Sequence, residues 1–239
     1  MGDRGSILVL FDIDGTLIDS LGAGIRGMSR AFRELHGWED ALEGVPIAGR
    51  TDRAILRDAF ERRGVTEWND AALALRDAYF GCLPGELAVS GGPAMVLPGV
   101  HRALDQLEAD PRFVVGLLTG NFHVGARLKL EAAGVWDRFT LGAFGDDHVN
   151  RRDLVPVALE RARERGWTPE RAIVIGDTPL DVDCAHAHGQ IAVAVATGHY
   201  DVPALAATQA DLVVATLDEL GDAAETLAKL VAERARGNP

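Results

Sequence analysis

The sequence predicts an α/β fold in which a parallel sheet carries helices on both faces and an all-helical segment is inserted near the start. An apolar run from Ser6 to Phe11 ends abruptly in carboxylates, as buried parallel strands do where they deliver polar groups. Helical periodicity without strong strands then extends over residues 21–90. Beyond Gly99, helices and strands alternate, which indicates right-handed crossovers between parallel strands.

The composition is that of a globular protein, because 47% of the 239 residues are hydrophobic. A net charge of -12 without any basic tract argues against nucleic-acid binding. The sequence contains no apolar run long enough for a membrane span and no secretory signal before the first strand. Its two cysteines, Cys82 and Cys184, lack metal-ligand spacing, so we expect a reduced cytoplasmic protein without a zinc site.

The first predicted strand is followed by Asp12, an isoleucine, Asp14 and Gly15. Because side chains alternate along a strand, Asp12 and Asp14 are expected on the same side. Two neighbouring carboxylates repel each other unless a cation lies between them, and a hard divalent ion such as Mg²⁺ would satisfy both. Gly15 allows a tight turn, and the hydroxyls of Thr16 and Ser20 are expected to cap the next helix. Taken alone, the stretch is equally compatible with an ordinary turn.

Residues 18–91, called the helical insert below, are predicted to interrupt a core made of residues 1–17 and 92–239. One helix is predicted from Asp52 to Arg62 with Asp52 as its cap, and another from about Asn69 to Cys82. Glycine and proline at positions 91–93 and 98–99 mark the return to the core. Arg50 and Thr51 are candidate substrate contacts, the alternative for Arg50 being a surface ion pair.

Three glycines of the insert, Gly22, Gly24 and Gly27, match the G-x-G-x-x-G pattern of dinucleotide-binding proteins. That pattern requires its first glycine in the turn directly after a strand. Here that turn is occupied by residues 12–15, and two carboxylates would face an anionic pyrophosphate. A nucleotide-dependent oxidoreductase is therefore a minor alternative, which a failure to bind dinucleotide would end.

Elements of the second part of the core are predicted from the alternation of patterns. The predicted helices are Val100 to Ala109, Val124 to Ala133, Leu154 to Arg165 and Leu180 to His188, with a closing helix from Leu217 to Arg236. The predicted strands are Phe113 to Leu118, Phe139 to Phe144, Ala172 to Ile175, Ile191 to Ala196 and Asp211 to Val214.

Two of these later strands also end in polar residues. Thr119, Gly120 and Asn121 follow one of them, and a hydroxyl followed by glycine exposes backbone N–H groups that suit a phosphate oxygen. Asp177 follows the other as a third carboxylate, and Asp181, one helical turn later, is placed to support it. Singly these features are a plain turn and helix caps, but together they predict one site at the carboxyl edge of the sheet.

This set of motifs resembles the haloacid dehalogenase superfamily, in particular its phosphatase branch, similar to phosphoglycolate phosphatases. The matching stretches are residues 12–16, 118–121 and 176–181, whose order and spacing cover nearly the whole chain. The resemblance implies a Rossmann-like core, a helical cap inserted after the first motif, and a catalytic Mg²⁺. It implies an enzyme that hydrolyses a small phosphorylated metabolite.

By the same resemblance, Asp12 is the nucleophile that becomes an aspartyl phosphate, and Asp14 is the general acid and base. The metal ligands are then the Asp12 carboxylate, the Asp14 backbone carbonyl and Asp177. Residues 119–121 are expected to bind the phosphate. An acid at Asp14 argues against the dehalogenase branch, which has no comparable leaving-group proton to supply.

The chain departs from the family at one position. Such proteins commonly carry a lysine between the second and last motifs, but residues 150–154 contain none, and the only lysines are Lys129 and Lys229 in predicted helices. We predict that Arg151 replaces it, while Arg152 points to solvent or to a surface carboxylate such as Asp153. The alternative is that both arginines are surface charges and that Lys129 or another group supplies the positive charge.

Two further functions remain open at this point. A phosphomutase would use the same site but return the phosphate to a sugar. A non-enzymatic interaction protein on this fold would have no reason to keep all four carboxylates. The sequence carries no indication of the oligomeric state.

Overall fold

The computed structural model describes residues 7–237, without the side chains of residues 93 and 94. Its centre is one sheet of six parallel strands, β1 Ile7–Phe11, β2 Phe113–Leu118, β3 Gly142–Ala143, β4 Arg171–Gly176, β5 Ile191–Val195 and β6 Leu212–Val214. Their order in the sheet is β3-β2-β1-β4-β5-β6. The α/β prediction is confirmed; Ser6, the predicted first residue of β1, lies outside the described residues.

Helices fill the connections between the strands. They are α1 Ala23–His36, α2 Asp52–Arg62, α3 Asn69–Leu87, α4 Val100–Ala109, α5 His123–Ala133, α6 Leu154–Glu164, α7 Pro179–His186, α8 Val202–Ala206 and α9 Ala223–Arg236. Within the described part of the chain, none of these helices has the length and apolar character needed to cross a membrane.

Strand β1 shows why both faces of the sheet are covered. Its five side chains are all buried, and they alternate between two apolar cores. Ile7, Val9 and Phe11 belong to one core, and Leu8 and Leu10 belong to the other. A strand buried on both faces has no polar alternation, which is why its sequence is a continuous apolar run.

The helical insert contains α1, α2 and α3, and α1 packs along α3. The two chain connections between insert and core run side by side. The N–H of Asp19 donates to the carbonyl of Met95 at 2.8 Å, and the N–H of Leu97 donates to that of Leu17 at 3.0 Å. These bonds lie near the predicted limits of the insert, whose exact division from the core stays a prediction.

Two predicted elements of the core differ from the structure by more than two residues at an end, and α8 was not predicted. The predicted strand Phe139 to Phe144 shrinks to Gly142–Ala143 because a 3-10 turn, Trp136–Arg138, leads directly into Phe139. The closing helix is interrupted because Gly221 adopts a φ of 64°. Asp222 then caps α9 by accepting a hydrogen bond from the N–H of Glu225 at 3.0 Å.

The helix caps of the insert also differ from expectation. Thr51, not Asp52, caps α2, because its hydroxyl oxygen accepts the N–H of Ala54 at 3.1 Å while Asp52 is the first helical residue. Gly22 precedes α1 without any side-chain cap, so neither Thr16 nor Ser20 has the predicted capping role. The hydroxyls of Thr16 and Ser20 are therefore not used to cap the start of α1.

The glycine-rich pattern has a packing role in this structure. Gly22 comes ten residues after Asp12 rather than in the turn that follows β1. A Cβ atom on Gly24 would lie 3.0 Å from the Nζ of Lys129, and one on Gly27 would lie 3.3 Å from the ring of Tyr79. The glycines therefore let two buried side chains approach α1, which accounts for the pattern without a nucleotide.

Candidate active site

The structure brings the predicted carboxylates together at the carboxyl edge of the sheet. Asp12 continues β1, and its N–H donates to the carbonyl of Ile175 in β4 at 2.9 Å. Asp12, Asp14 and Asp177 all line one cavity of about 670 Å³ between the sheet edge and the helical insert. The central position of β1 explains this meeting, since the strands that carry the other motifs, β2 and β4, flank it.

Asp12 is buried beside a guanidinium group. The Nη2 atom of Arg151 lies 3.2 Å from its Oδ1, and Arg151 also forms an ion pair with Asp181. Only 6% of the Arg151 side chain is exposed, and its Nε is buried without a partner among the described residues. Burial raises the pKa of Asp12 to about 6 against the opposing charge of Arg151. The site thus holds a nucleophile candidate and an anion-binding group in direct contact.

Three carboxylates form the group that could hold a metal ion. One oxygen from each of Asp12, Asp177 and Asp181 lies within 4.8 Å of the others, and all three side chains are buried. Burial, followed by the charges of Asp181 and Asp12, raises the pKa of Asp177 to about 8. Arg151 alone does not neutralise this cluster, so the donor set suits a hard divalent cation such as Mg²⁺.

Asp181 occupies its predicted place next to Asp177 and has additional partners. Its carboxylate accepts hydrogen bonds from the N–H of Thr178 at 3.0 Å and from the Thr178 hydroxyl at 2.7 Å, which forms a capping box on α7. Because the same carboxylate pairs with Arg151, it fixes the guanidinium relative to the helix start. Its helix-capping role and its role in the site therefore coexist.

Asp14 is held by three donors on the other side of the cavity. The Nζ of Lys129 lies 2.5 Å from its Oδ2, the amide of Asn121 donates to the same oxygen at 2.9 Å, and the hydroxyl of Ser20 donates to Oδ1 at 3.1 Å. Burial alone would raise the pKa of Asp14, but Lys129 and the two hydrogen bonds outweigh it and hold that pKa below its usual range.

Lys129 is the site residue that the sequence analysis left only as an alternative. It lies on α5 with 4% of its side chain exposed, and its Nζ also donates to the Oδ1 of Asn121 at 2.7 Å. A signal was present in the sequence, because Lys129 stands on the apolar stripe of α5 formed by Ala126, Leu130 and Ala133. Both cations are therefore in the site, Arg151 at Asp12 and Lys129 at Asp14.

Arg151 and Arg152 separate as expected. Arg151 is buried at Asp12, whereas Arg152 is exposed and its Nε donates to Asp183 at 2.6 Å. The predicted partner of Arg152, Asp153, instead pairs with His148. The prediction that Arg152 points to a surface carboxylate agrees with its position, although that carboxylate is Asp183 and not the example given, Asp153.

In the second motif, residues 119–121, two residues line the cavity and the third forms a hydrogen bond with one of them. Gly120 and Asn121 line the cavity. Thr119 is fully buried, and its hydroxyl oxygen accepts the Asn121 amide at 2.9 Å. Phosphate binding by Thr119, Gly120 and Asn121 stays a prediction.

The start of α2 docks on this second motif. The N–H of Asp52 donates to the carbonyl of Gly120 at 2.7 Å, and the Asp52 carboxylate accepts the N–H of Phe122 at 2.9 Å. Thr51 is buried and donates to the carbonyl of Val149 at 2.6 Å, so its hydroxyl is used for docking and capping. Arg50 lines the cavity but pairs with Asp58 at 2.7 Å. Of the two candidate substrate contacts, only Arg50 reaches the cavity.

Asp52 was not predicted as a site residue, yet it also lines the cavity. Burial raises the pKa of Asp52 to about 6, against the charge of Lys129 and the hydrogen bond from Phe122. A further carbonyl links the insert to the site, since Gly49 accepts a hydrogen bond from Arg151 at 3.0 Å. The insert therefore contacts the second motif through Asp52 and Arg151 through Gly49.

Comparison with known proteins finds a matching family model and similar phosphatases. A model of the haloacid dehalogenase-like hydrolase family matches residues 9–186, which confirms the resemblance found in the motifs. The chain is 29% identical over 229 residues to a probable phosphatase, IndB, of Dickeya dadantii, covering 93% of this chain and 95% of that protein. It is 28% identical over 216 residues to a phosphoglycolate phosphatase of Synechococcus elongatus, covering 89% and 94%.

Solved structures share the fold. A β-phosphoglucomutase of Clostridium difficile superimposes with a TM-score of 0.68 at 17% identity and covers 95% of this chain and 99% of that one. A hydrolase of Pseudomonas syringae gives a TM-score of 0.65 at 21% identity, with coverages of 91% and 96%. At this level of identity, the likeness concerns the fold alone.

Proposed function

The chain belongs to the haloacid dehalogenase-like hydrolase family, and on that basis we propose that it is a Mg²⁺-dependent phosphatase of small phosphomonoesters. The proposed reaction passes through an aspartyl phosphate on Asp12. One observation supports it above the others: Asp12 is buried in contact with Arg151 and in one cluster with the carboxylates Asp177 and Asp181. The names of the two curated relatives, a probable phosphatase and a phosphoglycolate phosphatase, favour the same activity.

Each residue has a role that its surroundings support. Asp12 would attack the phosphorus, and Arg151 at 3.2 Å would neutralise charge that gathers on the transferring phosphoryl group. Asp14, held by Lys129, would give a proton to the leaving alcohol and later take one from water. Asp12, Asp177 and the backbone carbonyl of Asp14 would hold Mg²⁺, which supplies charge neutralisation when bound.

Metal removal tests the proposal. Purified protein treated with a chelator should lose turnover of a generic aryl phosphate and regain it with Mg²⁺. Retained turnover after rigorous metal removal would contradict the metal role.

The expected cytoplasmic location stays a prediction from the cysteine content.

Phosphoenzyme trapping tests the two aspartates separately. Asp12→Asn should abolish both the phosphoenzyme and turnover, with a loss on the order of 10⁴ to 10⁶ in rate. Asp14→Asn should still form phosphoenzyme from an aryl ester, whose leaving group needs little protonation. The opposite pattern would exchange the two roles.

Release of inorganic phosphate, rather than transfer to an added sugar phosphate, separates hydrolase from phosphomutase.

A further inference from the structure

The cavity over Asp12 and Asp14 is large for a two-carbon substrate. Its volume is about 670 Å³, within the range of roughly 300–1,000 Å³ that holds drug-sized ligands. The catalytic carboxylates and residues of the helical insert both line it. Room therefore exists for a leaving alcohol considerably larger than glycolate.

Part of the wall contributed by the insert is apolar. Leu21, Ile25 and Ile47 line the cavity and all belong to the insert. Leu21 is 60% exposed and has a φ of 50°, a conformation that leucine rarely adopts. Its N–H donates to the Asp19 carboxylate at 2.8 Å, which holds this turn. An exposed leucine kept in a strained turn at a cavity wall offers a surface for an apolar ligand group.

The charges of the cavity disfavour a second anionic group on the substrate. Arg50 is paired with Asp58 at 2.7 Å, Lys129 with Asp14 at 2.5 Å, and Arg151 with Asp12 and Asp181. His199 lines the cavity as an exposed residue.

Two carboxylates outside the catalytic set, Asp19 and Asp52, also line the cavity. Among the described residues, each arginine and lysine in its wall is thus already engaged, and with Mg²⁺ offsetting Asp12 and Asp177, uncompensated negative charge is still present at Asp19 and Asp52. A carboxylate on the leaving alcohol would approach the exposed Asp19 and the buried Asp52, whose carboxylates accept backbone N–H groups, and its charge would be repelled by theirs.

We propose, on the basis of the phosphatase activity proposed above, that the substrate is the phosphate ester of an uncharged, mainly apolar alcohol with more than two carbons. Leu21, Ile25 and Ile47 receive its apolar body. Asp52 excludes alcohols that carry a carboxylate, because it presents its own carboxylate from the start of α2 beside the second motif. The specificity determinants therefore belong to the insert, whereas the proposed chemistry belongs to the sheet edge.

A matched pair of esters tests the charge part. Phosphoglycolate and phosphoglycolamide have nearly the same shape, and only the former carries a carboxylate. The wild-type protein with Mg²⁺ should show a kcat/KM at least about tenfold higher for the amide. Asp52→Asn keeps an oxygen for the N–H of Phe122 and should bring the ratio close to one. Asp77→Asn, on an exposed residue of α3 outside the cavity, removes the same charge and should leave the ratio unchanged.

A series of n-alkyl phosphates tests the apolar part. From ethyl to hexyl phosphate, kcat/KM should rise by roughly threefold to fourfold for each methylene that reaches the wall, as expected from transfer energies near 0.8 kcal/mol. Leu21→Asn should flatten this rise, since asparagine tolerates a positive φ and preserves the turn. Leu35→Asn, at an exposed leucine of α1 outside the cavity, should leave the rise unchanged.

The outcomes separate this inference from the proposed activity. Equal or better turnover of phosphoglycolate than of its amide, or no gain with chain length, overturns the inference while turnover of an aryl phosphate still supports the phosphatase. Failure to hydrolyse every ester overturns both. Preference for the amide and for long alkyl groups, lost in the two cavity variants and kept in the two controls, supports it.

Discussion

The Nζ of Lys129 lies 2.5 Å from the Oδ2 of Asp14, so the proposed acid–base residue is paired with a lysine on α5. The same Nζ donates to Asn121, whose amide donates back to Asp14. This triangle fixes the carboxylate in one orientation, and the lowered pKa suits the later step in which Asp14 would take a proton from water. Lys129 is therefore a positioning residue for Asp14 rather than a general surface charge.

Replacing Lys129 with methionine should lower kcat most for esters whose leaving group must be protonated. An alkyl phosphate should lose on the order of 10² to 10⁴ in kcat, and an aryl phosphate much less, because its leaving group departs without an acid. Lys229→Met is a matched control, since this only other lysine is exposed on α9 and pairs with Glu225 at 3.2 Å. Equal losses for both esters in Lys129→Met would contradict the positioning role.

The sequence was sufficient to predict the sheet and the carboxylates of the site. Continuous apolar runs such as β1 and β4 identify buried parallel strands, and the residues after them must meet at one edge. Asp12, Asp14 and Asp177 followed from that rule alone. The same rule says nothing about which helix faces reach the edge.

Asp52 and Tyr79 were missed for this reason, and Lys129 was predicted only as an alternative. Asp52 and Tyr79 enter the cavity wall from α2 and α3 of the insert, and Lys129 enters it from α5 of the core, so their positions depend on how these helices pack. Sequence periodicity can indicate that a lysine stands on an apolar stripe, but it cannot give the carboxylate that lysine meets. The cap of α2 was misplaced by one residue because Thr51 and Asp52 are both good capping residues, and docking on Phe122 decided between them.

Arg151 should be far more sensitive to substitution than Arg152. Arg151→Ala removes a donor at 3.2 Å from Asp12 and should cost roughly 2 to 4 kcal/mol of transition-state stabilisation. Arg151→Lys should retain part of the activity, because a point charge replaces a planar fork. Arg152→Ala should be nearly silent, since its partner Asp183 lies outside the carboxylate cluster. Measured kcat/KM values with a larger loss at Arg152 would overturn the assignment.

Docking of the insert should depend on the absence of a side chain at Gly120. A Cβ atom there would lie 2.1 Å from the carbonyl oxygen of Arg50, a backbone atom that cannot turn away. Gly120→Ala should displace the start of α2, lower the free energy of unfolding by about 1 to 3 kcal/mol and reduce kcat/KM.

The control for this substitution is Gly81→Ala in the middle of α3. A Cβ on Gly81 meets nothing within 4 Å among the described residues, so this variant should gain roughly 0.5 to 1 kcal/mol from better helix propensity. Denaturant unfolding and ester hydrolysis measure both effects. A stable, fully active Gly120→Ala protein would show that the insert does not need this close approach.

Asp52 should make the stability of the protein depend on pH. Burial raises its pKa to about 6, above the value of about 3.9 expected in the unfolded chain. Between these values the folded state binds more protons, so the free energy of unfolding falls as pH rises and then stays constant above about pH 6. The cost of the buried charge reaches about 3 kcal/mol at most.

Asp52→Asn keeps the hydrogen bond from Phe122 without the charge. Its stability relative to wild type should therefore increase from pH 4.5 to pH 7, as measured by urea unfolding, whereas Asp77→Asn should show no such trend. A difference that is constant with pH would mean that Asp52 is ionised in the folded protein throughout this range.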